Sequence, residues 1–137
     1  GLPSIDLMKL RSKLILEEAK EFEEACINGD LVEAADALGD LLYVVLGGLV
    51  VFGIHGNVAQ RLMATIHASN MSKLCNSVKE AQDCIDDTTT KSGPIYYYEE
   101  LEGGKCVLRW AVGYKKDKVV KGPNYWKPDL SFIRTEK

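Results

Sequence analysis

Positive charge, long apolar runs and paired cysteines are all scarce in this sequence, and each scarcity removes a class of function. Its 20 Asp and Glu outnumber its 17 Lys and Arg, leaving a net charge of −3 and a pI near 5.4. That balance gives no electrostatic case for nucleic acid or for an anionic membrane as a partner. The longest apolar run, residues 41–54, contains three glycines and falls short of a bilayer core of roughly 30 Å, so no membrane span is expected. No basic stretch leads into a hydrophobic core near residue 1, so no secretory leader is read. Cys26, Cys75, Cys84 and Cys106 show no C-x-x-C spacing, which fits reduced thiols and a cytoplasmic location better than a disulfide frame. Opening at Gly1-Leu2-Pro3, almost inside the first expected helix, the sequence reads as one trimmed at its start.

What is present describes one ordinary globular domain over residues 1–137, with 46% apolar and 27% charged residues. The pattern is mainly α: a helical bundle followed by a small C-terminal β-hairpin and an extended segment. A first helix is expected from about Ser4 or Asp6 to Ile27, with Leu7, Leu10 and Leu14 on one face. Asn28-Gly29-Asp30 breaks it, and Asp30 with Glu33 makes a capping box for a second helix reaching Phe52. The later half of that helix is apolar all round, which implies burial on every side. One chain of this size cannot surround it, so part is expected to meet another subunit, with Gly47-Gly48 allowing close approach. A third helix carries Val58, Leu62 and Ile66 into HASNMSK, residues 67–73, and residues 77–85 pattern weakly as a fourth. Residues 4–85 thus form the helical core. Residues 86–137 hold a hairpin built from residues 95–98 and 106–112 around Gly103-Gly104, then the extended tail KGPNYWKPDL.

The informative stretch is ILEEAKEFEEACINGDLVEAADALGDLLYVV, residues 15–45, where a core stripe turns acidic. Continuing the line Leu7, Leu10, Leu14 by steps of three and four leads to Glu18, Glu21 and Ala25, with Glu17 beside Glu18. Asp36 and Asp40 stand one turn apart on the second helix. In an antiparallel helical hairpin these acidic faces meet, and crowded, poorly solvated carboxylates repel unless protonated or paired with cations. Lys20 is near in sequence but faces away. A divalent metal is the simplest neutraliser, and all-oxygen ligation suits Mg2+, with Mn2+ as the alternative. Read by itself, EEAKEFEEA is an ordinary solvated face. Glu23 and Glu24 are expected in solvent, and Glu33 as a cap rather than a ligand. The order E-E-x-x-E, then D-x-x-x-D before a wholly apolar segment, tips the reading toward a metal site.

In that order the motifs resemble the all-α nucleoside triphosphate pyrophosphohydrolases, the MazG-like and phosphoribosyl-ATP pyrophosphohydrolase-like superfamily. E-E-x-x-E followed by D-A-L-G-D-L-L-Y-V-V-L-G carries the resemblance, and S-N-M-S-K with K-G-P-N-Y-x-x-P-D-L narrows it to one branch. The resemblance implies hydrolysis of a nucleoside triphosphate to monophosphate and pyrophosphate, in nucleotide-pool house-cleaning, with two or three Mg2+ ions held by Glu17, Glu18, Glu21, Asp36 and Asp40. Glu17 or Glu18 would be the catalytic base. Asn70 and Lys73, one turn apart, become candidate phosphate contacts, as does Lys121 beside Gly122-Pro123. His67 reads as structural, Tyr43 as packing, and Tyr125 with Trp126 as covering either a nucleotide or the core. Two departures stand out. Ala37 sits where many MazG-like chains have a second acid, so Asp36 must serve, and residues 75–117 match nothing in the family. A homodimer or homotetramer is expected. Two other readings compete. A di-iron bundle is disfavoured because neither His55 nor His67 has a Glu three residues before it. In a non-catalytic oligomerisation or partner-binding module, the apolar helix would be the functional feature and the acids mere surface.

Overall fold

The computed structural model describes residues 2–135 and is mainly helical, with one two-stranded antiparallel hairpin. The chain divides into two compact units, residues 1–60 with 132–137, and residues 61–131.

The first unit is built on two long helices, α1 (Ile5–Ile27) and α2 (Leu31–Val51). Ser4 Oγ accepts the Leu7 N–H to start α1. Gly29 turns the chain between them at φ +66°, a left-handed conformation that suits glycine. Asp30 then caps α2, its Oδ1 accepting the Glu33 N–H at 3.0 Å; the Asp30 N–H, which a full capping box would give to the Glu33 carboxylate, donates instead to the Ala25 carbonyl. The helices run antiparallel against each other. Arg11 Nη2 donates to the Val44 carbonyl at 2.9 Å, and a Cβ at Gly47 would strike that guanidinium. The close approach expected at Gly47 is therefore taken by Arg11 of the same chain, while Gly48 faces open space.

Burial in this unit departs from the sequence expectation. Only Ala25 and Ala37 are fully buried on α1 and α2. Leu7 and Leu10, expected in a core stripe, are exposed; Leu42, Leu46 and Val50 are exposed too, on the helix that one chain was not expected to surround. The reason is geometric. Two helices can cover only the seam between them, and bulky residues outside it stay open. Tyr43, expected to pack, is 80% exposed. Met8, Ile15, Val45, Leu49 and Phe52 line an open apolar groove of about 440 Å³. Among the described residues α2 alone is long and apolar enough to cross a membrane by length and composition, although the apolar run read from the sequence was too short. The difference is that the helix starts ten residues before residue 41 and takes in Glu33, Asp36 and Asp40. Its charge-free part, residues 41–51, spans only about 16 Å.

α3 (Gly56–Met71) follows, with Leu62 and Ser69 buried, so most of HASNMSK lies inside the helix. The second unit then gathers α4 (Val78–Thr88), β1 (Tyr96–Glu100) and β2 (Cys106–Trp110). Weakly patterned in sequence, α4 is a full helix. Ser77 Oγ caps it by accepting the Glu80 N–H at 3.1 Å, and Ala81 and Ile85 are buried against the hairpin. It extends to Thr88, which the sequence places in a loop; the Thr88 hydroxyl donates to the Cys84 carbonyl and Thr89 continues the same satisfaction at Ile85. The hairpin forms where expected, Tyr96 opposite Trp110 and Glu100 opposite Cys106. β2 is the spine of this unit. β1 lines one edge, and Cys75 and Val119 each bridge to the other. Leu108, Cys75 and Cys106 are fully buried here, with Ala81, Ile85 and Val120 around them.

The tail is extended, as expected, and is laced to the end of α3. Ser69 Oγ donates to the Trp126 carbonyl at 2.9 Å, and Trp126 N–H donates back to Ser72 Oγ at 3.1 Å. Gly122 N–H donates to the Lys73 carbonyl at 2.9 Å, an approach a side chain at 122 would block. The Asn124 amide donates to Glu80 Oε1.

Candidate metal centre

The carboxylates singled out in the sequence meet on the facing sides of α1 and α2. One oxygen each from Glu18, Glu21 and Asp40 lies within 4.8 Å of the other two. The helical spacing makes this possible: Glu18 and Glu21 are three apart on α1, and the antiparallel seam that buries Ala25 against α2 also brings Asp40 across. Glu18 is half-buried and the other two are exposed. Glu18 Oε2 is buried and has no hydrogen-bond partner. Desolvation raises the Glu18 pKa, and a hydrogen bond to Glu21 with the negative charges of Glu21, Asp40 and Glu17 raises it further. The last three of these causes are charge crowding, and the first is the burial of a carboxylate.

Glu17 is exposed, yet near enough for its charge to act on Glu18. Asp36 does not join the three. It lines an adjacent cleft of about 200 Å³ with Glu21, Glu24, Asp30 and Glu33. Glu21 is thus common to both acidic places. Glu24 was not singled out in the sequence; its position one turn beyond Glu21 and facing the start of α2 was the available signal. Ala37, where a second acid was missed, is buried in the seam at 4% exposure, so a longer acidic side chain there would have to displace α2 from α1.

The three other candidates lie in the second unit. Asn70 is exposed in the last turn of α3, and its carbonyl accepts the Lys73 N–H at 3.2 Å. The Gly122–Lys73 hydrogen bond brings the backbone at Lys121 near that of Lys73, which the sequence separation of 48 residues does not suggest. Lys121 Nζ lies 5.0 Å from the Tyr125 ring centroid. Ser69 and Ser72, not named as functional from sequence, are what holds this tail to the helix end. His67 is exposed and Trp126 is 45% exposed.

The donor set fits a hard divalent cation. It is all oxygen, it is crowded, and it includes a buried oxygen with no partner. No solved structure gives a significant match to the chain. The uncharacterized protein L479 of Acanthamoeba polyphaga mimivirus is 50% identical over 48 residues, 35% of this chain; those residues span about a fifth, 19%, of that relative's length. The family model for phosphoribosyl-ATP pyrophosphohydrolase matches residues 3–70, a segment that holds all five candidate carboxylates. Through that segment the chain belongs to the phosphoribosyl-ATP pyrophosphohydrolase family, in the MazG-like all-α superfamily of nucleoside triphosphate pyrophosphohydrolases.

Proposed function

We propose that this protein hydrolyses a nucleoside or deoxynucleoside triphosphate to the monophosphate and pyrophosphate, with Mg2+ held by its acidic helical seam. The observation that carries the reading is the meeting of Glu18, Glu21 and Asp40 around a buried, unpartnered oxygen. A triphosphate adds about four negative charges of its own, which these carboxylates would repel without cations between. Glu18, Glu21 and Asp40 would hold the metal, with Glu17 and Asp36 at its margins. Bound there, Mg2+ (or Mn2+) would neutralise phosphate charge and make a water more acidic.

The chain's own residues would do the rest. Glu17 or Glu18 would take the proton of the attacking water. Lys73, with Lys121 beside it, would supply positive charge to phosphate oxygens, and Asn70 an amide donor. The exposed apolar surface of α2 supports assembly as a homodimer or homotetramer, which would take Leu42, Leu46 and Val50 out of water.

A panel of canonical and modified nucleotides with Mg2+ tests the reading by its products. Monophosphate plus pyrophosphate is expected. Diphosphate plus orthophosphate, or no turnover across the panel, overturns it.

A further inference from the structure

Three of the four cysteines gather in the second unit, although nothing in their sequence spacing pairs them. Cys75 and Cys106 are fully buried and face each other across the sheet, joined by both backbone hydrogen bonds at 2.8 and 3.0 Å. Cys84, on α4, packs against the same core cluster. Cys84 differs from the other two in one respect. It is half-buried and lines a cavity of about 310 Å³ whose rim includes Asp87, Thr88 and Lys121. A small polar oxidant can reach Cys84 by that cavity, whereas Cys75 lies behind it at zero exposure.

The buried pair is not free to choose partners. Cys106 Sγ turns to the Gly104 carbonyl, 3.9 Å away. Cys75 belongs to the cluster against which Cys84 of α4 packs. Burial, then the charges of Cys84 and Glu80 and a hydrogen bond with the Cys84 thiol, push Cys75 up to about 12. Cys75 therefore rests as a protonated thiol against Cys84, and the accessible member of the contact is Cys84.

We propose that Cys84 and Cys75 form an oxidisable pair, in which Cys84 meets a hydroperoxide in the cavity and Cys75 closes a disulfide with it. In the first step the Cys84 sulfur attacks a peroxide oxygen. The O–O bond breaks, water leaves, and Cys84 becomes a sulfenic acid. In the second, the Cys75 sulfur attacks the Cys84 sulfur. The S–S bond forms as the S–O bond breaks, and the Cys75 proton leaves with the hydroxyl as water. Two thiols lose two electrons, and hydrogen peroxide is reduced to two waters. The disulfide closes a loop over residues 75–84, which joins the segment just after Lys73 to the middle of α4. Cys26, exposed on α1, has no cysteine near it in the first unit and stays outside this chemistry.

The inference is independent of the proposed hydrolysis. The full chain is treated with hydrogen peroxide, free thiols are blocked with N-ethylmaleimide, and the non-reduced digest is mapped by mass spectrometry. A Cys75–Cys84 linked peptide, two hydrogens lighter than its parts and released by a thiol reductant, is expected. It should persist in Cys106→Ser and disappear in Cys84→Ser, with far-UV circular dichroism confirming that both variants fold. If Cys84→Ser does not fold, the wild-type map decides alone. A Cys75–Cys106 link, or Cys84 driven to sulfinic acid with Cys75 still a free thiol, overturns the pairing.

Discussion

The α1–α2 pair and the small core around Leu108 treat their apolar residues in opposite ways. Around β2, short elements close over Leu108, Cys75 and Cys106 from several directions, and the polar groups at the margins find partners in one another. Along α1 and α2, only two alanines are fully buried while leucines, valines and carboxylates remain open. Charge divides too. Residues 1–60 carry ten acidic side chains against four basic ones, whereas residues 61–131 are close to balanced, with nine acidic and eleven basic. Stability comes from burial and satisfied hydrogen bonds, so the second unit has the features of a self-sufficient scaffold. Under the proposed function the first is a surface that cations would complete at the seam and a second copy would cover along α2.

Turnover offers the largest break in this comparison. Glu21→Gln and Asp40→Asn should each lower it by about 100-fold or more, with circular dichroism unchanged and the metal-free melting temperature equal or higher. Wild-type rates in both would remove the acidic seam from the chemistry. The next test sets one leucine against another. Leu108→Ala, in the closed core, should cost about 3 kcal/mol in denaturant unfolding. Leu42→Ala, 60% exposed, should cost no more than about 0.5 kcal/mol in dilute protein. An equal cost at Leu42 would mean that α2 is already covered in solution. Third, Mg2+ should raise the melting temperature of the wild type by binding linkage and should do so far less in Glu18→Gln, which keeps the shape but not the charge. The smallest effect concerns the other unit. Lys73→Ala should raise KM for a triphosphate severalfold and leave kcat nearly unchanged. A change in kcat alone would assign Lys73 a different role.

Much of this was legible in the sequence where local rules decide. The Asp30 cap, the Gly29 turn and the Gly103-Gly104 hairpin follow from side-chain hydrogen bonding and backbone freedom within a few residues. So does the meeting of Glu18, Glu21 and Asp40, because a helical period and a short antiparallel turn leave the two faces little choice. Legibility ended where a partner's location mattered. Leu7 and Leu10 read as core because periodicity reports an apolar face but says nothing of what covers it. α4 read as weak because its helix depends on the hairpin it packs against, and the contact between Cys75 and Cys84 on that surface has no signature in their spacing. Lys73 and Lys121 stand far apart in sequence, and it takes the tail's hydrogen bond to the Lys73 carbonyl to bring their backbones near each other.

That hydrogen bond gives one position an unusual standing. At Gly122 a methyl group would run into the Lys73 carbonyl, while the side chains of its neighbours Lys121 and Pro123 project from exposed positions. A saturation library across the tail, scored for folded protein rather than turnover, should therefore return a sharp notch of intolerance at 122 flanked by permissive sites. The chain's tail would then be read as spelled out by one missing atom rather than by the bulky aromatics that draw the eye.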